Sequence, residues 1–161
     1  MMKKNLVIYY SHGGKTKTVA NYIANSLKCD IIEIGLPKSR LGFVGFVKLI
    51  MDGIKKRCPS IILPETNWND YEHIIIGSPI WGGTFASPIY ELLTQYIKKT
   101  PNYAVFSTSG GEPPQNTKHK IIADIATLMG KSAITSINIA NKNLKNPGWE
   151  DKFQSFLKEL K

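Results

Sequence analysis

The stretch LVIYYSHGGKTKTVANYIA, Leu6 to Ala24, decides how this chain is read. Leu6 to Tyr10 are all apolar or aromatic, which suits a strand covered on both faces. Ser11 to Gly14 then break the run with polar and glycine residues, and Val19, Tyr22 and Ile23 recur at helical spacing. A strand, a glycine turn and a helix start in succession form an anion cradle, because the first amides of a helix point outward with partial positive charge. Gly14, Lys15 and Thr16 also match the end of a triphosphate loop, but the glycine required five residues earlier is Tyr9. No aspartate closes the third apolar run to hold magnesium, and no G-x-G-x-x-G follows the first. The cradle therefore suits a phosphate that belongs to neither a nucleoside triphosphate nor a dinucleotide.

The same alternation continues to the end of the chain. Further strand-like runs are Ile31 to Ile34, His73 to Ile76, Tyr103 to Ser107 and Ala133 to Ile139. Helical spacing lies between them, as in Ile89, Leu92, Leu93, Tyr96 and Ile97, and closes the chain with Trp149, Phe153, Phe156, Leu157 and Leu160. Ser87 before Pro88 and Asn146 before Pro147 read as helix starts, and Gly130 as a helix C-cap. Five strands alternating with helices give an α/β fold, an open doubly wound sheet with helices on both faces. Residues 1–161 read as one domain. Residues 36 to 70 make a long connection containing LGFVGFVKLIMDGIKKR, apolar nearly all round at first and basic at its end. A crossover helix packed on the sheet is the expected form, with a membrane-surface or dimer contact as the other reading.

The chain has 161 residues and a formal net charge of +9, which favours acidic partners or anionic ligands. No apolar run approaches the ~20 residues of a membrane span, and the N-terminal apolar run is too short for a signal peptide, so a cytoplasmic protein is expected. Cys29 and Cys58 lack metal-ligand or dithiol spacing and read as idle thiols.

In such sheets ligands bind beyond the carboxyl ends of the strands. The loops there are SHGGKT (11–16), GSPIWGGT (77–84) and STSGGE (107–112). Trp81 between glycines can cover a flat aromatic ring, and the amides from Thr108 to Gly111 can meet polar ring edges. Together the loops describe a phosphate at one end and a planar ring between the other two.

At these loops the chain resembles the flavodoxin family. YYSHGGKTKTVANYIA is similar to its phosphate loop, IIIGSPIWGGTFASPIYELL to its second flavin loop and VFSTSGG to its third. The resemblance implies a flavodoxin-like three-layer sandwich, a five-stranded parallel sheet of order 2-1-3-4-5, and non-covalent FMN. It implies that Ser11, His12, Gly13, Gly14, Lys15 and Thr16 surround the phosphate. Ser78, Pro79, Ile80, Trp81, Gly82 and Gly83 would run beside the ring, with Trp81 stacked on it and a glycine peptide free to turn a carbonyl toward it. Ser107, Thr108, Ser109, Gly110 and Gly111 would contact its pyrimidine edge.

Three features depart from the family pattern. Gly13 stands for a hydroxyl residue and Lys15 for asparagine; the third loop lacks a stacking aromatic, for which Phe85 or an aromatic of GFVGF is the substitute; and the chain is basic where carriers are acidic. The resemblance implies an FMN electron-transfer protein with a redox partner protein; the basic charge points to an acidic one, no nucleic acid is expected, and the protein is expected as monomer or homodimer. The alternative is an FMN-dependent NAD(P)H:quinone reductase, and a third reading is a basic module that has lost its flavin. No catalytic side chain and no metal site is expected, and His12, His73 and His119 read as surface or strand-edge residues.

Overall fold

The computed structural model describes residues 4–57, 59–97 and 102–161. Cys58 lies outside them. The apolar runs form the middle of a six-stranded sheet: β1 (Lys4–Tyr9), β2 (Asp30–Glu33), β3 (Tyr71–Trp81), β4 (Thr84–Phe85), β5 (Asn102–Ser109) and β6 (Ser136–Ala140). The parallel strands lie in the order β2-β1-β3-β5-β6, and β4 is a short antiparallel addition to β3. Without β4 this is the expected 2-1-3-4-5.

Register explains why the runs carry little polar alternation. Leu6, Ile74 and Tyr103 pair across β1, β3 and β5 toward one face, and Val7, Ile75 and Ala104 at the next position pair toward the other, so both faces are apolar. On one side Ile8, Ile74, Ile76 and Val105 pack with residues of α2 (Gly42–Ile54), α3 (Ser87–Glu91) and α4 (Gln115–Met129), among them Leu49, Ile89 and Ile125. On the other side Val7, Tyr9, Ile75 and Phe106 meet Val19 and Ile23 of α1 (Lys15–Leu27), Phe153, and Phe156 of α5 (Gln154–Lys158). Each such aliphatic side chain contributes about 1.5–3 kcal/mol by leaving water.

Local signals that compete with tertiary packing moved some boundaries. Gly130 is the expected C-cap, at φ 69°. Ser87 is not an N-cap: Ala86 takes that place, Ser87 is the first helical residue, and its buried hydroxyl has no hydrogen-bond partner. Beyond Glu91 the α3 helix widens to π-type winding over Leu92–Tyr96. Asn146 ends a 3₁₀ turn instead of starting a helix, and the last helical segment begins after Gly148 as 3₁₀ winding over Trp149–Phe153. The third strand does not end with the run His73 to Ile76 but continues to Trp81, where β4 pairs with its end. No helix among the described residues is long and apolar enough to cross a membrane.

Candidate functional site

The first loop delivers a helix start with unspent amides. Gly14 is the N-cap of α1 at φ 82°, a left-handed conformation that favours glycine, and it brings no side chain of its own to cap the helix. Ser11 Oγ accepts the Lys17 amide at 3.3 Å, and the Thr18 hydroxyl donates to the Gly14 carbonyl at 3.0 Å. Lys17 is neutralised by Glu33 at 2.7 Å, whereas exposed Lys15 has no acidic partner among the described residues. Thr16 is buried, its Oγ1 2.8 Å from Thr108 Oγ1, so the first loop is tied directly to the third.

The second segment is a β-hairpin. Ile80 faces Phe85 and Trp81 faces Thr84, with Gly82 and Gly83 at φ 57° and 75° as the two-residue turn. Two positive φ values in succession match the twist of a tight hairpin, which is why two glycines stand there. Ser78 lies inside the strand: its buried hydroxyl donates to the Pro79 carbonyl at 2.9 Å and accepts the Ala86 amide at 3.0 Å, so it holds the hairpin base.

The hairpin fixes Trp81 within an aromatic cluster. Phe46 of α2 meets Trp81 edge to face at 4.9 Å and stacks on His12 at 4.3 Å with 17° between planes; Tyr10 meets Trp81 edge-on at 5.9 Å. Burial, with Glu33 adding its charge, pushes the Tyr10 phenol up to about 12 and raises that of Tyr9 as well. Neither phenol exchanges a proton near neutral pH.

The third segment is also largely strand. The Ser107 hydroxyl donates to Asn138 Oδ1 at 2.9 Å, and Asn138 Nδ2 donates to Ser109 Oγ at 3.1 Å. Both hydroxyls are thus engaged with β6. Gly110 and Gly111 are exposed, with nothing within 4 Å of where a Cβ would sit.

A cavity of about 290 Å³ lies where these segments meet. Of the expected residues, His12, Gly13, Lys15 and Thr16, then Pro79, Ile80 and Trp81, then Thr108, Ser109 and Gly110 line it. Ser11, Gly14, Ser78, Gly82, Gly83 and Gly111 stand behind or beside the lining, and Ser107 opens instead onto a larger void of about 850 Å³ between α4 and the β5–β6 edge. Two other residues complete the lining. Phe46 comes from the GFVGF segment. Asn141, just past β6, was missed; its Oδ1 is buried without a hydrogen-bond partner. The available signal was its position after the carboxyl end of a parallel strand.

The flavodoxin family model matches residues 4–147. Among solved structures, the chain is similar to a flavoprotein from Lactobacillus acidophilus NCFM in complex with FMN. The two are 28% identical, covering 84% of this chain and 93% of that one, with a TM-score of 0.72. The apo form of the flavoprotein from that organism, solved by NMR, is 26% identical over 92% of this chain and 98% of its own, with a TM-score of 0.66. Oxidised flavodoxin 1 from Bacillus cereus, 18% identical over 98% and 96% with a TM-score of 0.59, shares the fold. No curated protein matches the sequence significantly.

Proposed function

The chain belongs to the flavodoxin family, and from that premise we propose that it is an FMN-binding electron-transfer protein. The observation that carries the reading is the meeting of three strand ends, a helix start with a glycine N-cap and an aromatic wall around one cavity. The donor set fits FMN. The amides at the start of α1, with Gly13 and Lys15, suit the phosphate. Trp81, Phe46 and Ile80 suit a flat ring, and the third-loop amides with the unpaired Asn141 Oδ1 suit its polar edge. When bound, FMN supplies one- and two-electron transfer.

The chain's own part is binding, orientation and field. The Thr16–Thr108 contact holds the first and third loops at a fixed distance, and the hairpin presents Trp81. A net charge of +9 suits an acidic redox partner, reached by diffusion in the cytoplasm. The test is spectral: the purified protein should be yellow, and the stripped protein should recover its spectrum with FMN. A colourless protein that ignores added FMN would overturn the proposal.

One observation favours the reductase reading. The third-loop side of the cavity carries Gly110 and no aromatic residue, which leaves an acceptor room to approach the ring. Steady NADH or NADPH oxidation with a quinone, with no reductase added, would select that reading over the carrier.

A further inference from the structure

Helix α2 is built inside out. At about 100° per residue, Phe43, Ile54, Val47, Met51 and Val44 share one arc, and Gly45, Leu49 and Gly53 lie opposite. The glycine arc is the buried one. A Cβ on Gly45 would sit 2.2 Å from the Arg40 carbonyl oxygen, and one on Gly53 3.0 Å from that of Phe85. Apart from Leu49, the helix packs closely through missing side chains and leaves most of its bulky ones in water. Phe43 is 80% exposed, Val44 67%, and Leu41, just ahead of the helix, 62%. An ordinary crossover helix does the reverse, since burying its large apolar side chains is what stabilises its packing.

The surroundings of this face are basic. Lys48 and Lys55 border the apolar arc, Lys38 and Arg40 precede it, and Lys56 and Arg57 follow. Arg40 pairs with Asp52 at 2.6 Å and Lys56 with Asp124 at 3.0 Å. Lys38, Lys48, Lys55 and Arg57 have no acidic partner among the described residues.

We propose that this face of α2 docks peripherally on an anionic lipid surface. Side chains without hydrogen-bonding groups enter the headgroup boundary, and unpaired cations beside them meet the lipid phosphates; each signal alone is weak and the two together hold. A second copy on the same face would set these cations against their own symmetry mates. Protein hot spots favour Trp, Tyr and Arg, and the exposed arc carries none of them. Phe46 leaves the same helix toward the cavity, so docking holds the mouth of the cavity near the lipid.

Flotation with vesicles tests the proposal, using phosphatidylcholine alone and phosphatidylcholine mixed with phosphatidylglycerol. In low salt the protein should float with the mixed vesicles at least about tenfold more than with the neutral ones, and added salt should weaken this. Val47→Glu with Met51→Glu should cut the binding about tenfold or more, and Lys48→Glu with Lys55→Glu should remove the preference for anionic lipid. Circular dichroism and the thermal midpoint check folding; Phe43→Ser, at the most exposed position, serves if the double variant is unfolded. No flotation with anionic vesicles in low salt overturns the proposal. So does equal binding by the folded apolar-face variants, which would reduce it to attraction of a basic protein. A dimer in sedimentation velocity that the same substitutions dissolve would assign the face to a second copy instead.

Discussion

Thr16 and Thr108, 92 positions apart in the chain, bring their buried hydroxyl oxygens to 2.8 Å and so lock the phosphate-side loop to the third loop. Either hydroxyl alone would be left buried and unpaired if the other were removed. Thr108→Val should therefore cost about 1–3 kcal/mol of stability in urea unfolding and weaken FMN binding by loosening the clamp. Thr16→Val with Thr108→Val should cost less than the two single changes summed, because the second change removes the orphan left by the first.

Lys15 lines the cavity beside the open end of α1 without an acidic partner among the described residues. Lys15→Ala should weaken FMN about tenfold, the effect of about 1.4 kcal/mol from one lost charge-assisted contact. Riboflavin, which lacks the phosphate, should be nearly unaffected. Fluorescence titration of the stripped protein with both flavins checks it, and equal losses would place Lys15 in solvent.

Trp81 and Phe46 meet at 4.9 Å with their planes at 86°. Removing either ring should weaken FMN and riboflavin alike, the opposite signature to Lys15→Ala. The double change Phe46→Ala with Trp81→Ala should be non-additive, since the rings support each other by about 0.5–1.5 kcal/mol.

Alkaline stability should be limited by the buried phenols. Burial, and then Glu33, raises Tyr10 in the folded state from 10 to about 12. The unfolded chain loses this proton first as pH rises past 10, so stability contributed by neutral Tyr10 is complete below that pH and is lost progressively toward about 12. Urea midpoints at pH 9 and 11 should show the fall, and Tyr10→Phe should flatten it. Tyr9 acts in the same direction.

Gly77 lies in the central strand against Phe106. A Cβ there would stand 2.0 Å from Phe106 Cζ, closer than any real contact, and the ring is itself buried. Gly77→Ala should cost about 3 kcal/mol by overpacking, lowering the thermal midpoint by roughly 6–12 °C in a chain of this size.

Most of the fold is legible in the chain text because parallel strands buried on both faces leave continuous apolar runs, and helices between them leave a different period. The runs at Leu6 to Tyr10 and His73 to Ile76 became β1 and the core of β3 with little adjustment. Strand ends were less legible. SPIW reads as loop until Thr84 and Phe85 of β4 fold back across the Gly82–Gly83 turn and pair with Trp81 and Ile80.

The three loops were legible as a set, since glycine and hydroxyl residues after strands mark places where backbone must approach a ligand. Their internal roles were not. Ser107 and Ser109 read as ring-edge contacts, and nothing in the chain text shows that Asn138 on the neighbouring strand engages both hydroxyls while Ser109 still lines the cavity. Asn141 carried no motif, and it reaches the cavity only because β6 aligns beside β5.

The sequence by itself therefore determined the layers and which three loops face one edge, because burial period and backbone freedom are properties of local text; the strand order came only from the resemblance of the loops to the flavodoxin family. Only the tertiary structure decided which side chains meet. Thr16 finds Thr108 through the registers of β1, β3 and β5, and α2 turns its glycines inward because backbone from Arg40 and Phe85 occupies the space where side chains would go. Such contacts depend on atoms far apart in the chain, and no local pattern encodes the distance between them.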